Sequence, residues 1–361
     1  MTWQDWLGVT GGVVGLASLI AALVMWHRLR RVQRTARRAG QLRRDRLHTE
    51  RAAFVVNPSK HGVTDFKRLA AAVCEELGLG EPAWFETTVE SPGMAQAATA
   101  AKLPGVTTVV AAGGDGTVRA VAAGLAGGDV PMGIVPLGTA NLLARNLGLP
   151  LLDHREALEV ALTGARRAID IGRLNAWEPG AKQVLHAAPF LVIAGLGFDA
   201  ALVSDAASGL KARLGWPAYF VSGFNHLADQ PIRVHIMAGG RERQTNVRAV
   251  MFGNCGLLPA GLRLAPDADL SDGLLDLVTV QTRHGLLGWA ALAFQVAGHS
   301  LGLRGMPRWS SGRLRYQQYD SVRVVCDDPQ RIQLDGELAG WALALEAWVD
   351  HLALTVRVRG G

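Results

Sequence analysis

The chain has 361 residues, 49% of them hydrophobic and 19% charged, which exceeds one ordinary domain and fits a packed globular enzyme rather than a disordered or fibrous chain. The formal charge of +6 is unevenly spread: the first 51 residues carry +7 and the remaining 310 carry −1, a balance that does not support the basic face nucleic-acid binding needs. Cys74, Cys255 and Cys326 lie far apart and suggest neither a disulfide framework nor a zinc site, which suits a reducing compartment.

The amino-terminal segment is apolar and then basic. Leu7 to Trp26 is a 20-residue uncharged stretch, long enough to cross a hydrocarbon core of about 30 Å as a helix. Trp3, Trp6 and Trp26 sit at its ends, where indoles anchor at interfaces. Asp5 precedes it and His27-Arg28-Leu29-Arg30-Arg31 follows, the reverse of a cleaved signal peptide. Residues 28–51 hold ten arginines against Asp45 and Glu50. We expect residues 1–51 to be a transmembrane helix and basic tether: a single pass through the cell membrane at residues 7–26, with the catalytic body cytoplasmic. Attraction of the arginines to anionic headgroups adds roughly 1 kcal/mol per near-surface charge.

From Ala52 the pattern becomes that of a parallel, helix-covered sheet. Ala53–Val56 reads as a buried strand ending in the turn Asn57-Pro58-Ser59. A helix near Phe66–Leu77, a strand at Ala83–Glu86, a helix at Met94–Lys102 and a strand at Thr107–Ala112 follow. The last strand enters Gly113-Gly114-Asp115-Gly116-Thr117, then a helix over residues 118–127 and a strand at Met132–Pro136. Glycine permits positive φ and close approach of a ligand to the backbone, and a helix start offers unpaired N–H groups to phosphate oxygens. Asp115 is odd beside a phosphate unless a metal or an ordered polar network stands between them. Asn57, the Gly113–Thr117 turn and Gly138-Thr139 all fall at the carboxyl ends of strands, where such sheets bind ligands.

After Pro150 the rhythm shifts to a second, strand-rich domain. A helix at Arg155–Leu162 leads to Ile169-Asp170-Ile171-Gly172. Strands are expected at Phe190–Ala194, Ile232–Ala238, Val247–Gly253, Leu274–Val280, Val322–Cys326 and Leu352–Val358, with an apolar helix at Leu286–Leu301. The fold is thus read as α/β: the transmembrane helix, a Rossmann-like α/β nucleotide domain over 52–150, and a β-rich domain over 151–361 whose extreme carboxyl end is free to return to the first.

Several motifs have ordinary readings. No Gly-Lys pair occurs, which excludes a Walker loop, and no H-E-x-x-H is present. Gly195-Leu196-Gly197-Phe198-Asp199-Ala200 fits a relaxed dinucleotide fingerprint, but residues 215–225 hold no acid at the distance required, so a tight turn is preferred. Asp267-Ala268-Asp269-Leu270-Ser271-Asp272-Gly273 is not an EF-hand and by itself reads as an acidic turn. Asp335-Gly336 is by default a hairpin tip.

Taken together, these segments resemble the diacylglycerol kinase catalytic family of lipid kinases, especially its soluble bacterial members. The match runs through Val56-Asn57-Pro58, Gly113–Thr117, Pro136-Leu137-Gly138-Thr139-Ala140-Asn141, Asp170-Ile171-Gly172, Gly197-Phe198-Asp199-Ala200, Ala265-Pro266-Asp267-Ala268 with Asp272-Gly273, and Leu334-Asp335-Gly336-Glu337. The resemblance implies two domains with the active site between them. It implies ATP bound through Asn57, Pro58, Thr88, Gly113, Gly114, Asp115, Gly116, Thr117, Gly138, Thr139 and Asn141. It also implies Mg²⁺, with a metal near the acidic turn held by the Asp272 side chain and the main-chain oxygens of Asp269 and Leu274. Either Asp335 or Glu337 would be the proton acceptor. Diacylglycerol is the leading substrate among membrane lipid alcohols, phosphatidic acid the product, and a homodimer the implied assembly.

This chemistry is coherent. A lipid hydroxyl needs a carboxylate to take its proton, and the γ-phosphoryl group needs alignment and charge compensation. Asp115 would orient Mg²⁺–ATP, directly or through water, and residues 215–224 are candidates for an acyl groove or for core. Two departures stand out: Val118-Arg119-Ala120 where relatives commonly carry a Leu-Asn-Glu-like segment, and Leu142 where an acid often follows Asn141. Arg119 is read as a solvated helix residue, with a phosphate contact as the alternative. The competing functions are an NAD kinase-like phosphotransferase and a lipid-binding scaffold without catalysis.

Overall fold

The computed structural model describes residues 50–60, 62–180, 182–197, 231–257, 265, 268–282 and 312–360. The expected span at residues 7–26, most of the arginine tether, the segment 198–230, Pro266-Asp267 and the expected helix at 286–301 lie outside these residues. Among the described residues no helix is long and apolar enough to cross a membrane.

The first lobe is a parallel sheet in the order β2-β1-β3-β4, formed by β1 (Arg51–Val56), β2 (Ala83–Glu86), β3 (Val106–Gly113) and β4 (Met132–Pro136). Its strands read as continuous apolar runs because both faces are covered. Ala53, Val55, Val109 and Ala111 pack toward α2 (Met94–Ala100), α3 (Asp115–Leu125) and α4 (Leu142–Asn146). Phe54, Val56, Val110 and Ala112 pack toward α1 (Val63–Glu76) and α5 (His154–Thr163). The five-residue α4 is absent from the sequence reading: it is too short to show a helical period.

The second lobe is antiparallel. Around β13 (Ser321–Leu334) stand β7 (Ile193–Leu196) and β8 (Ile232–Ala238); β7 continues through β10 (Ala249–Gly253) and β11 (Leu275–Thr282) to β12 (Gly312–Tyr319). Strand β9 (Arg241–Val247) pairs with β8, and β5 (Ala165–Trp177) pairs with β6 (Gln183–Phe190). The single strand expected at Phe190–Ala194 is two strands, β6 and β7, broken at Leu191-Val192. The polar strands β9 and β12 lack the apolar alternation that would announce them. Gly195 lies inside the antiparallel ladder, where a Cβ would come within 2.3 Å of Val250 O, so its lack of a side chain serves the close packing of two strands.

Strand β14 (Glu337–Val358) ties the lobes together. It pairs with β13, then antiparallel with β5, and at Val356 it lies parallel to Met132 of β4. One apolar cluster accordingly joins Val118 and Val121 of α3 to Leu191, Ile193 and Met251 of the second lobe.

The β5–β14 ladder is interrupted between Asp350 and Leu354, where Leu352 takes φ 50°. Asp170 fills the interruption. Its Oδ1 accepts from Leu352 N at 2.7 Å and lies 2.9 Å from His351 Nδ1, and its Oδ2 accepts from Gly273 N at 2.7 Å. The Asp170 N–H donates to Leu270 O at 2.6 Å. Since Asp170 is fully buried, truncating it strands several donors. Asp170→Ala is expected to cost about 2–4 kcal/mol, read as a lowered urea midpoint; an unchanged midpoint would remove this joint from the account.

Candidate active site

Strand β3 ends in a turn that has room only for small residues. A Cβ on Gly113 would lie 2.6 Å from Thr117 Oγ1. Gly114 is the extended N-cap of α3 and supplies no side-chain cap, so the first N–H groups of that helix face outward for an anion. The loop after β4 leans against this turn: Leu137 N donates to Gly113 O at 2.9 Å, and a Cβ on Gly138 would lie 2.7 Å from Gly114 Cα. Asn141 closes that loop in left-handed conformation, its Oδ1 accepting from Gly138 N at 3.1 Å and its Nδ2 donating to Gly138 O at 2.8 Å.

Asp115 lies between the two loops. Its Oδ2 accepts from Asn141 N at 3.0 Å and its Oδ1 from Leu142 N at 2.5 Å. An ordered polar network therefore accounts for a carboxylate in a phosphate loop: Asp115 takes the place at the start of α4 that an anion would fill. Burial pushes its carboxyl up to about 6, with the charge of Asp335 adding to the rise and the two N–H groups opposing it.

Asn57 borders the same end of the sheet, its N–H donating to Ala112 O at 3.2 Å and its Oδ1 accepting from Ser59 N and Oγ at 3.0 and 2.7 Å. Lys60 follows in that turn, and a Cβ on Gly114 would lie 3.7 Å from its Nζ. Lys60 was not among the residues expected from sequence, although a cation three positions after Asn57 was its signal. Pro58, Thr88 and Thr139 are exposed at the strand ends, and the Thr88 hydroxyl is occupied by Ser91 N at 3.0 Å.

The Asp-Gly-Glu segment joins this assembly from the second lobe. Asp335 and Gly336 have φ 49° and 85°, the two positive values of a type I′ hairpin turn. The turn folds Asp335 inward: its carboxylate accepts from the N–H groups of Leu191, Val192 and Ile193 at 2.8–3.2 Å, and its side chain is 2% exposed. Burial raises its carboxyl above the ordinary range, while Arg119 and the three N–H groups pull it down. Buried Asn254 braces the β6–β7 break from behind, its Nδ2 donating to Leu191 O at 3.0 Å and to Asp170 O at 3.1 Å.

Glu337 points the other way. Its carboxylate sits over the glycine turn, so that a Cβ on Gly116 would lie 2.6 Å from Oε1, and its side chain remains 55% exposed. Arg119 is not a solvated residue as expected: its side chain is only 16% exposed and it donates to Glu337 Oε2 and, at 2.7 Å, to Leu334 O.

The acidic turn is a separate assembly. Asp269 Oδ1 accepts from Ser271 N at 2.9 Å, Asp272 Oδ1 accepts from Leu274 N at 2.9 Å, and Asp170 anchors Gly273. Burial raises the Asp272 carboxyl, with Asp269 and Asp170 adding to the rise. Among the described residues no three His, Cys, Asp or Glu side chains converge on a metal position.

A parallel nucleotide-type sheet with an open helix start, met by a carboxylate from a β-rich lobe, defines a two-lobed phosphotransferase. The diacylglycerol kinase catalytic domain family matches residues 51–174, and the YegS C-terminal NAD kinase beta sandwich-like domain family matches residues 192–344. The diacylglycerol kinase of Bacillus subtilis (strain 168) is 32% identical over 298 residues, covering 81% of this chain and 91% of the relative. The diacylglycerol kinase of Mycobacterium tuberculosis (strain ATCC 25618 / H37Rv) is 34% identical over 186 residues, covering 51% of this chain and 58% of that protein. A crystal structure of a diacylglycerol kinase from Bacillus anthracis str. Sterne shares the fold, with a TM-score of 0.63 at 18% identity over 86% of this chain and 97% of that one. The chain belongs to the diacylglycerol kinase catalytic-domain family, and it is a lipid kinase.

The raised Asp115 carboxyl has a consequence for stability. The folded chain holds this proton to about pH 6 and the unfolded chain releases it near pH 4, so stability falls as pH rises through that window. Relative to Asp115→Asn, which does not titrate, the wild type is expected to lose about 3 kcal/mol between pH 3.5 and pH 7. Urea unfolding of both proteins across that range checks this; parallel curves would refute it.

Proposed function

We propose that the protein transfers the γ-phosphoryl group of ATP to the hydroxyl of a membrane lipid, diacylglycerol being converted to phosphatidic acid, with Glu337 as the proton acceptor. The observation that carries this reading is the Glu337 carboxylate, half exposed and seated over Gly116 of the glycine turn. The triphosphate lies along the N–H groups that open α3, with Lys60 compensating charge beside Gly114. The lipid hydroxyl attacks the γ-phosphorus, its proton passes to Glu337 as the new O–P bond forms, and ADP leaves with the electrons of the broken bond. Asp335 serves by fixing the turn, since its own oxygens are committed to three N–H groups. Asp115 likewise locks the two phosphate loops together.

ATP is used as its Mg²⁺ complex. At the acidic turn a second divalent cation would be held by the Asp272 side chain and the main-chain oxygens of Asp269 and Leu274, with water completing the shell, and it would stiffen that turn. Residues 7–26 hold the body at the bilayer, where the effective concentration of lipid hydroxyl is high. The names of the relatives support the choice of diacylglycerol.

The test is the full chain in vesicles with labelled ATP and a panel of lipid alcohols. Label in phosphatidic acid is expected; label in another lipid would replace the substrate, and label only in a dinucleotide would overturn the reading. Glu337→Gln is expected to lower kcat about 100-fold or more with an unchanged melting temperature. Asp335→Asn is expected to lower the melting temperature as well, because an amide cannot accept all three N–H groups.

A further inference from the structure

The second turn of α3 carries a cation that phosphoryl transfer, as described, leaves unused. Arg119 follows Asp115 by one helical turn, and where Asp115 is held by the first lobe's own Asn141 and Leu142, Arg119 reaches across to the second lobe. Both of its terminal nitrogens are engaged there. Nη1 donates to Leu334 O at 2.7 Å and lies 3.8 Å from Asp335 Oδ2, while Nη2 donates to Glu337 Oε2. One guanidinium in the first lobe thus grips three successive features of the hairpin in the second: the last carbonyl before the turn, the buried acid within it and the exposed acid after it.

The planar fork fixes direction as well as distance, which a point charge does not. That matters for Glu337. Its side chain is 55% exposed, and a free glutamate spreads over many rotamers, which must be ordered before it can act. Gly116 clears the space under the carboxylate, yet clearing space selects no rotamer. The Arg119 fork does.

We propose that Arg119 is a positioning residue, whose guanidinium holds the Glu337 carboxylate over Gly116 in the orientation that receives the substrate proton. It acts on the reaction through Glu337 and makes no contact with the triphosphate. The proposal rests on Glu337 being the proton acceptor.

The test is steady-state kinetics of the full chain on diacylglycerol vesicles with ATP. Arg119→Gln is expected to lower kcat about 10- to 100-fold with KM for ATP within about twofold. Arg119→Lys, which keeps the charge but loses the fork, is expected to recover part of that loss. In a Glu337→Gln background, adding Arg119→Gln is expected to change the residual rate by less than about twofold, because the residue through which it works is gone. Three results would overturn the proposal: a raised KM for ATP with unchanged kcat, which marks a phosphate contact; the same fold loss with and without Glu337, which marks a scaffold role alone; or wild-type kinetics for Arg119→Gln. Full activity of Glu337→Gln would defeat the proton-acceptor reading itself. An inactive Glu337→Gln beside a fully active Arg119→Gln would defeat only the role given to Arg119.

Discussion

Three backbone N–H groups, those of Leu191, Val192 and Ile193, point into the protein where β6 gives way to β7, and a single carboxylate satisfies them. Left unpaired, each would cost about 1–3 kcal/mol. Asp335 can reach them only because its own backbone and that of Gly336 adopt positive φ. A strand break, a tight hairpin and a buried charge are therefore one device. Its by-product is the place from which the next side chain but one departs, because a turn pinned at Asp335 fixes the backbone at Glu337. The lobe that presents the carboxylate is organised around the need to satisfy its neighbours.

The first lobe uses the same physics with opposite economy. Its turn keeps N–H groups uncapped for a ligand, while the adjacent short helix has its start filled by Asp115. Two helix starts lie side by side, and only one is left for an incoming anion. The arrangement puts a carboxylate where burial disfavours its charge, a destabilising feature of the kind that functional sites retain. Close backbone contact between Gly114 and Gly138 then makes the two loops one rigid surface.

The sequence was most legible where one physical rule dominated. Strands covered on both faces must be apolar throughout, so β1, β3 and β4 could be read directly, and glycines at the end of β3 mark a close approach. It was least legible where polar residues meet across long separations. Strands β9 and β12 expose one face and carry charges on it. Arg119 looked solvated because its partners, Leu334 and Glu337, lie more than two hundred positions away. Asp335-Gly336-Glu337 looked like a plain hairpin tip, and it is one. What pattern reading could not supply was the set of inward N–H groups that gives its aspartate a task. Asp170 was noticed only as part of a family pattern, whereas its partners come from three separate segments.

Strand β14 leaves a consequence for how the chain is made. Leu354 to Val358 complete the ladder beside β5 and touch β4 at Met132, yet they emerge from the ribosome only long after the parallel strands they flank. The nascent amino-terminal lobe must wait with one edge of its sheet unpaired, the situation in which strands recruit wrong neighbours. Removing the final strand would thus injure the lobe that was synthesised first.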